Sequence, residues 1–265
     1  MKRFAIIIES SDVQGKDDLP GARLDAQNWE RFLQSDLGGA WSGNEMLVLN
    51  KPSVRLVKAR LEEHADDYVF LAFSGHGGED ASTHIVKICL NDTEQHVPVD
   101  DVSPKAFGSS VFDCCRCLDR SGRAIRAICE DAMEGLSNKV AFANGRCASF
   151  LLSTQSAAAL NSKNHRQRFL DELVQKRMCP YANLNPVRMY ACASDESAMD
   201  EDEKAGGYYT TFLIESAEAW GRRTLGVYST KEAHDDACAR MSKKNPQQHP
   251  EYTPSWQNYP FAVSV

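Results

Sequence analysis

Along the chain, apolar and polar positions follow two rhythms. Five short, nearly unbroken apolar runs have the length and content of buried strands: 3–9 (RFAIIIE), 45–49 (EMLVL), 68–73 (YVFLAF), 110–113 (SVFD) and 187–193 (VRMYACA). Between them, apolar residues recur at helical spacing. Residues 20–37 place Ala22, Ala26, Trp29, Phe32 and Leu33 on one face, and Gly38-Gly39 stops that helix. Ser53 caps a second helix through Val54, Val57, Leu61 and His64. Residues 84–90 add a small hairpin strand; 167–178, 207–220 and 231–242 add helices, the last before a Pro-rich tail at 245–265. The stretch 135–164, rich in Ser, Asn and Ala, fits neither rhythm. Strands alternating with helices predict an α/β fold whose central sheet is mostly parallel, with helices on both faces.

A length of 265 residues suits one domain with a sizeable core, and no repeat or low-complexity tract divides it. Hydrophobic residues at 42% and charged residues at 25% are ordinary for a globular protein. A formal charge of -7 argues against phosphate-backbone binding, and no nucleic-acid partner is expected. The apolar run from Phe4 to Ile8 is too short for an export signal or a membrane span. A cytoplasmic location without a membrane partner is the resulting expectation. The nine cysteines then read as free thiols, mostly small buried hydrophobes in a reducing compartment. Only Cys114 and Cys117 have CxxC spacing, and no second pair completes a zinc ribbon, so no metal site is assigned. Cys114-Cys115-Arg116-Cys117 is the cluster that needs explaining.

In doubly wound sheets, active sites gather beyond the carboxyl ends of the strands. The third apolar run ends at Ser74-Gly75-His76-Gly77-Gly78, and the fourth ends at the cysteine cluster. Glycines around His76 let the backbone turn sharply and approach a substrate. A thiol paired with an imidazole gives a thiolate–imidazolium nucleophile suited to acyl transfer. Backbone N–H groups at the same strand ends offer an oxyanion hole. On spacing alone, a polar loop histidine beside packing cysteines stays open as the alternative.

Phe73-Ser74-Gly75-His76-Gly77, followed by Val111-Phe112-Asp113-Cys114-Cys115-Arg116, resembles the caspase and metacaspase superfamily of cysteine peptidases. Metacaspases carry Asp-Ser-Cys-His-Ser-Gly at the nucleophile, and animal caspases carry Gln-Ala-Cys-Arg-Gly. This chain blends the two, and both registers put the nucleophile at Cys115. Leu19-Pro20-Gly21-Ala22-Arg23-Leu24-Asp25-Ala26 is similar to the Gly-Cys-x-x-Asp-Ala opening of the family's first helix. Ala191-Cys192-Ala193-Ser194-Asp195-Glu196-Ser197-Ala198 and Gly206-Gly207-Tyr208-Tyr209-Thr210-Thr211-Phe212-Leu213 resemble the approach to, and start of, its last core helix. The match departs at Cys117-Leu118, where a metacaspase shows Ser-Gly.

The resemblance implies a single caspase-like peptidase domain over 1–265. Its parts would be large-subunit-like (about 1–145), a linker (about 146–185) and small-subunit-like (about 186–265). It also implies a cysteine endopeptidase in which His76 is general base and acid and Cys115 forms the acyl-enzyme. The N–H groups of Gly77 and Cys115 would hold the oxyanion.

Substrate choice follows from the same resemblance. Animal caspases hold an aspartate with an arginine and a glutamine at positions where this chain has Leu19 and Asp113. Metacaspases instead line the pocket with two acids, which match Asp25 and Asp113; Asp195 is a candidate third. Two converging carboxylates suit a guanidinium, held bidentately, better than an ammonium. Cleavage of a protein substrate after Arg or Lys is expected; the bland alternative has Asp25 supporting a helix and Asp113 a loop. The acidic run Asp195, Glu196, Asp200, Glu201, Asp202 and Glu203 reads as a solvated loop. Calcium-dependent metacaspases imply a hard-cation site there as the alternative, while the dyad chemistry itself requires no cofactor. Arg120, Arg123 and Arg126 read as an exposed helix face. Arg146, Lys163, Arg166, Arg168, Lys176 and Arg177 are candidate self-cleavage sites, and an upstream activator is a further expected partner. Two competing functions are a catalytically dead homologue used as a scaffold and a non-peptidase thiol hydrolase on a flavodoxin-like sheet. The intact His76 and Cys115 argue against the first, and the Asp25 and Asp195 segments against the second.

Overall fold

The computed structural model of the chain describes residues 1–119, 154–179, 184–202, 206–254 and 256–265. Strand β1 (Arg3–Ser10) is buried along its whole length, because Ala5 and Ile7 face one apolar layer and Phe4, Ile6 and Ile8 the other. Strands β2 (Met46–Asn50) and β3 (Tyr68–Gly75) flank it in parallel. β7 (Gly108–Asp113) and β9 (Val187–Tyr190) continue in parallel beyond β3, and β13 (Glu251–Thr253) closes that side antiparallel. The order is β2-β1-β3-β7-β9-β13.

One layer is built by α1 (Pro20–Gln34), α3 (Thr154–Met178), α4 (Tyr208–Gly221) and α5 (Thr230–Lys244). They contribute Trp29 and Phe32, Phe169 and Leu173, Phe212 and Leu213, and Ala237 and Met241 to one core. Each large apolar side chain buried there is worth about 1.5–3 kcal/mol. The other layer holds α2 (Val54–Glu63) through Val57. Beside it lies a smaller sheet of β4 (Gly77–Asp80), β5 (Val86–Ile88), β6 (Val97–Pro98) and β8 (Leu118–Asp119) in the order β6-β5-β4-β8. The expected α/β architecture, a mostly parallel sheet between two layers, is the one observed.

Two segments differ from their sequence patterns. The Pro-rich tail carries β13 and β14 (Pro260–Ser264), the latter antiparallel to β12 (Gly226–Ser229) and burying Phe261, Ala262 and Val263. Its apolar run is short and stands among prolines, which hides a strand that only tertiary pairing completes. Helix α3 begins at Thr154, well before residue 167, and fills much of the stretch expected as linker. Phe169 and Leu173 dock it, Arg166 pairs with Glu45 at 2.7 Å, and Lys176 donates to Asn258 at 2.6 Å. Lys163, Arg166, Arg168, Lys176 and Arg177 therefore lie in a regular helix rather than an open loop. Arg120, Arg123, Arg126 and Arg146 lie outside the described residues.

Candidate active site

β3 and β7 run side by side in a register that sets Ser74 opposite Asp113. Two residues further along each strand stand His76 and Cys115. The register thus brings His76 and Cys115 to the same level just beyond the C-terminal edge of the sheet, at the ends of neighbouring strands. Gly77 fits between them. A Cβ there would come within 2.6 Å of the Cys114 sulfur and 2.9 Å of the Cys115 carbonyl oxygen, so the close approach requires glycine.

The orientation of His76 is set by a backbone group. Its Nε2 lies 2.7 Å from the carbonyl oxygen of Asp17. A carbonyl only accepts, so in the neutral ring Nε2 carries the proton and Nδ1 keeps the lone pair of a base. Burial lowers the His76 pKa from its ordinary value, while the Asp17 carbonyl opposes that shift. Near neutrality the ring is therefore mostly uncharged. Asp17 is a partner of His76 that side-chain patterns do not announce, because the group that bonds is its main chain.

Of the cysteines around this edge, Cys114, Cys117 and Cys192 are buried and Cys115 is half-buried. Burial pushes the Cys114 and Cys192 thiols well above the ordinary range. Cys115, whose sulfur lies 3.6 Å from the Ala198 carbonyl, is the most accessible thiol of this group.

The direction of the Gly77 N–H follows from strand pairing. The Cys89 N–H bonds the His76 carbonyl at 2.9 Å, which makes Gly77 and Ile88 a non-hydrogen-bonded pair of β4 and β5. The Gly77 N–H then points away from β5. Two residues on, the Glu79 N–H points the same way and bonds the Cys117 carbonyl at 3.1 Å. The Gly77 N–H accordingly faces the level of Cys115.

Asp25 and Asp113 meet beneath this edge, on the layer of α1 and α4. Asp25 Oδ2 accepts from the Ser74 hydroxyl at 2.6 Å, and Oδ1 from the Gly207 N–H at 2.9 Å. Asp113 Oδ2 accepts from the Thr210 N–H at 3.0 Å and the Thr210 hydroxyl at 2.8 Å. Both acids therefore sit at the N-terminus of α4, whose N-cap Gly207 in β11 (Gly206–Gly207) offers no side chain. A Cβ on Gly207 would reach within 2.5 Å of Asp113 Oδ2. Burial raises the pKa of both, to about 6 for Asp113; Asp113 raises Asp25 further, and Asp200 raises both. Asp200, in β10 (Asp200–Asp202), sits so close to Gly21 that any Cβ there would overlap its carboxylate.

Asp195 stands elsewhere. Its N–H bonds the Arg116 carbonyl at 3.0 Å, and its Oδ1 accepts from the Leu118 N–H at 3.2 Å, so it braces the loop after Cys115. The third acid beside the pair is Asp200, brought there by the pairing of β10 with β11. Glu196 is taken by His249 at 2.6 Å. Among the described residues no group of three or more His, Cys, Asp or Glu is arranged to hold a metal ion.

Arg116, next to Cys115, is buried and holds Glu79 through Nε at 3.0 Å and Nη2 at 2.8 Å. It also pairs with Glu251, donates to the Cys192 carbonyl at 3.2 Å and lies 4.8 Å over the Tyr190 ring. Glu79 follows His76 by three residues, so this ion pair ties the histidine strand to the cysteine loop. Leu118, where the sequence leaves the metacaspase pattern, pairs with Glu79 as the start of β8.

Compared one by one with curated proteins, the chain matches none. A family model is matched over nearly its whole length, and by that match to the caspase domain across residues 2–259 the chain belongs to the caspase-domain peptidases, family C14.

Proposed function

We propose that the protein is an endopeptidase that cleaves polypeptides after Arg, and less readily after Lys, through a Cys115–His76 dyad. The observation that supports this most is the shared register of β3 and β7, with His76 and Cys115 level at its end and Asp25 and Asp113 buried beside it. His76 Nδ1 takes the Cys115 proton, and the thiolate attacks the carbonyl carbon of the scissile bond. The tetrahedral oxyanion accepts from the N–H groups of Gly77 and Cys115. His76 returns the proton to the departing amine, leaving a thioester on Cys115. Water, deprotonated by His76, then releases the acid product and the free thiol.

Membership of the caspase-domain family supports cysteine-peptidase chemistry. The basic specificity rests on the acids: the charges that shift Asp25 and Asp113 most are those of Asp113 and Asp200, which are negative. A guanidinium inserted between them supplies the missing charge and bonds bidentately. Leu19, at the entrance to α1, offers nothing to a carboxylate. Turnover of otherwise identical arginyl, lysyl and aspartyl fluorogenic peptides tests the reading. Arginyl is expected fastest, with no turnover by Cys115→Ala; faster aspartyl cleavage, or none of any peptide by folded protein, would overturn it.

A further inference from the structure

We propose that the cleft on the hairpin side of the dyad is the subsite for the residue following the scissile bond, and that Lys16 makes it select an acidic side chain. This rests on the peptidase reading and adds the leaving-side specificity of the same site. The cleft is lined by Lys16, Gly77, Gly78, Lys87, Gln95 and His96. It lies on the opposite flank of the sheet edge from Asp25 and Asp113: the acids belong to the α1–α4 layer, whereas Val86 and Ile88 of the β4–β5 hairpin belong to the other core. A substrate with its basic side chain between the acids and its carbonyl over the Gly77 N–H passes its next residue along Gly77 and Gly78 into this cleft.

The charge of the cleft is decided by pairing. Of the acids at its wall, Asp80 is taken by Lys87 at 2.8 Å and by the Ser82 hydroxyl at 2.6 Å. Glu79 is taken by Arg116 at 2.8 Å, Ser194 at 2.7 Å and His84 at 2.8 Å. Asp92, near the same loop, is taken by the Gln14 N–H at 2.8 Å and by Lys51 at 3.4 Å. Lys16, unlike Lys87, has no ion-pair partner among the described residues; the exposed carboxylate of Asp17 beside it acts on His76 with the opposite sign, and of the two it is Lys16 that lines the cleft. It is half-buried while Gly15 and Asp17 on either side are exposed, and its N–H bonds the carbonyl of the buried Val13 at 3.0 Å. The next residue, Asp17, is the one that holds His76. The ammonium is thus carried on the short segment that orients the base, close enough for its charge to act on both His76 and Cys89. A carboxylate in the leaving half of a substrate gives Lys16 a charge-assisted partner.

The test crosses two choices in short peptides bound to Cys115→Ala, read by fluorescence anisotropy: Arg or Asp before the scissile bond, and Glu or Lys after it. The Glu peptides are expected to bind about fivefold tighter than the Lys peptides, the size of one partly exposed ion pair. Adding Lys16→Met should erase that gap, and Lys16→Glu should reverse it, with unchanged circular dichroism. Equal binding of Glu and Lys peptides, or a gap that survives Lys16→Glu, overturns the proposal. A preference for Asp before the bond with the Glu gap intact overturns the basic-specificity reading alone. Absence of binding by all four peptides to folded protein overturns both.

Discussion

The two edges of the central sheet both bury charge, and they do so in opposite ways. At the N-terminal edge, Arg3 is buried but compensated: Glu45 lies 3.3 Å away, the Gly39 carbonyl 2.8 Å, and the Trp41 ring 4.2 Å beneath it. Burial opposes ionisation of Glu45, yet hydrogen bonds from Arg166 and Ser42 and the charge of Arg3 hold its pKa at about 2. At the C-terminal edge, Asp25 and Asp113 are just as buried, but their neighbour in charge is a third acid, and their pKa values rise. Uncompensated buried charge costs stability, and it persists where something outside the fold completes it. The first edge carries its own countercharge; the second gathers carboxylates.

Perturbing each edge separately sharpens that contrast. The largest expected effect belongs to the dyad: Cys115→Ala and His76→Ala each reduce arginyl turnover by at least about a thousandfold with unchanged circular dichroism. Cys114→Ala should leave turnover standing; the reverse pattern would move the nucleophile by one residue. Next comes the compensated pair within the same edge. Glu79→Ala strands the buried Arg116 guanidinium and should lower unfolding stability in urea by about 3–5 kcal/mol. An unchanged urea midpoint would show that Glu251 alone suffices.

At the far edge, Glu45→Gln keeps the shape but loses the charge facing Arg3 and Arg166. It should cost about 1.5–3 kcal/mol while leaving turnover per folded molecule intact, read from the same urea curves beside an arginyl assay. A loss of turnover without loss of stability would erase the distinction between the edges.

The smallest effect is in pH dependence, where the edges have opposite signs. Glu45 has a depressed pKa, so its stabilisation is full above its ordinary value of 4.5 and is lost as pH falls towards 2. Asp113 has a raised one, so the folded state binds more protons and stability falls as pH climbs from 3.8 to about 6. Arginyl kcat/KM should rise through that same upper limit, as the pocket ionises. A profile identical for Asp113→Asn would assign the rise to another group.

Most of the sheet was legible because a strand buried on both faces is a continuous apolar run, as in β1 and β3. The placement of His76 and Cys115 at adjacent strand ends was legible because each follows directly on an apolar strand run. What stayed hidden depends on long-range pairing. β14 is a short run among prolines, and the strands of the small sheet have only two to four residues each. Asp17 acts through its carbonyl, which leaves no mark in the sequence. Within one acidic run, sequence cannot distinguish Asp195 from Asp200, because the turn into β10 decides which carboxylate faces Gly21. Arg116 finds Glu79 across 37 positions, a partner no local pattern supplies.

Asp113→Asn tests the central claim most directly, because the amide oxygen still accepts from the Thr210 N–H and only the charge is lost. If the buried acids serve a basic substrate side chain, arginyl turnover falls by about 30-fold or more while the thermal midpoint holds or rises. A midpoint that falls with arginyl turnover unchanged would make Asp113 a cap for α4 and contradict the account.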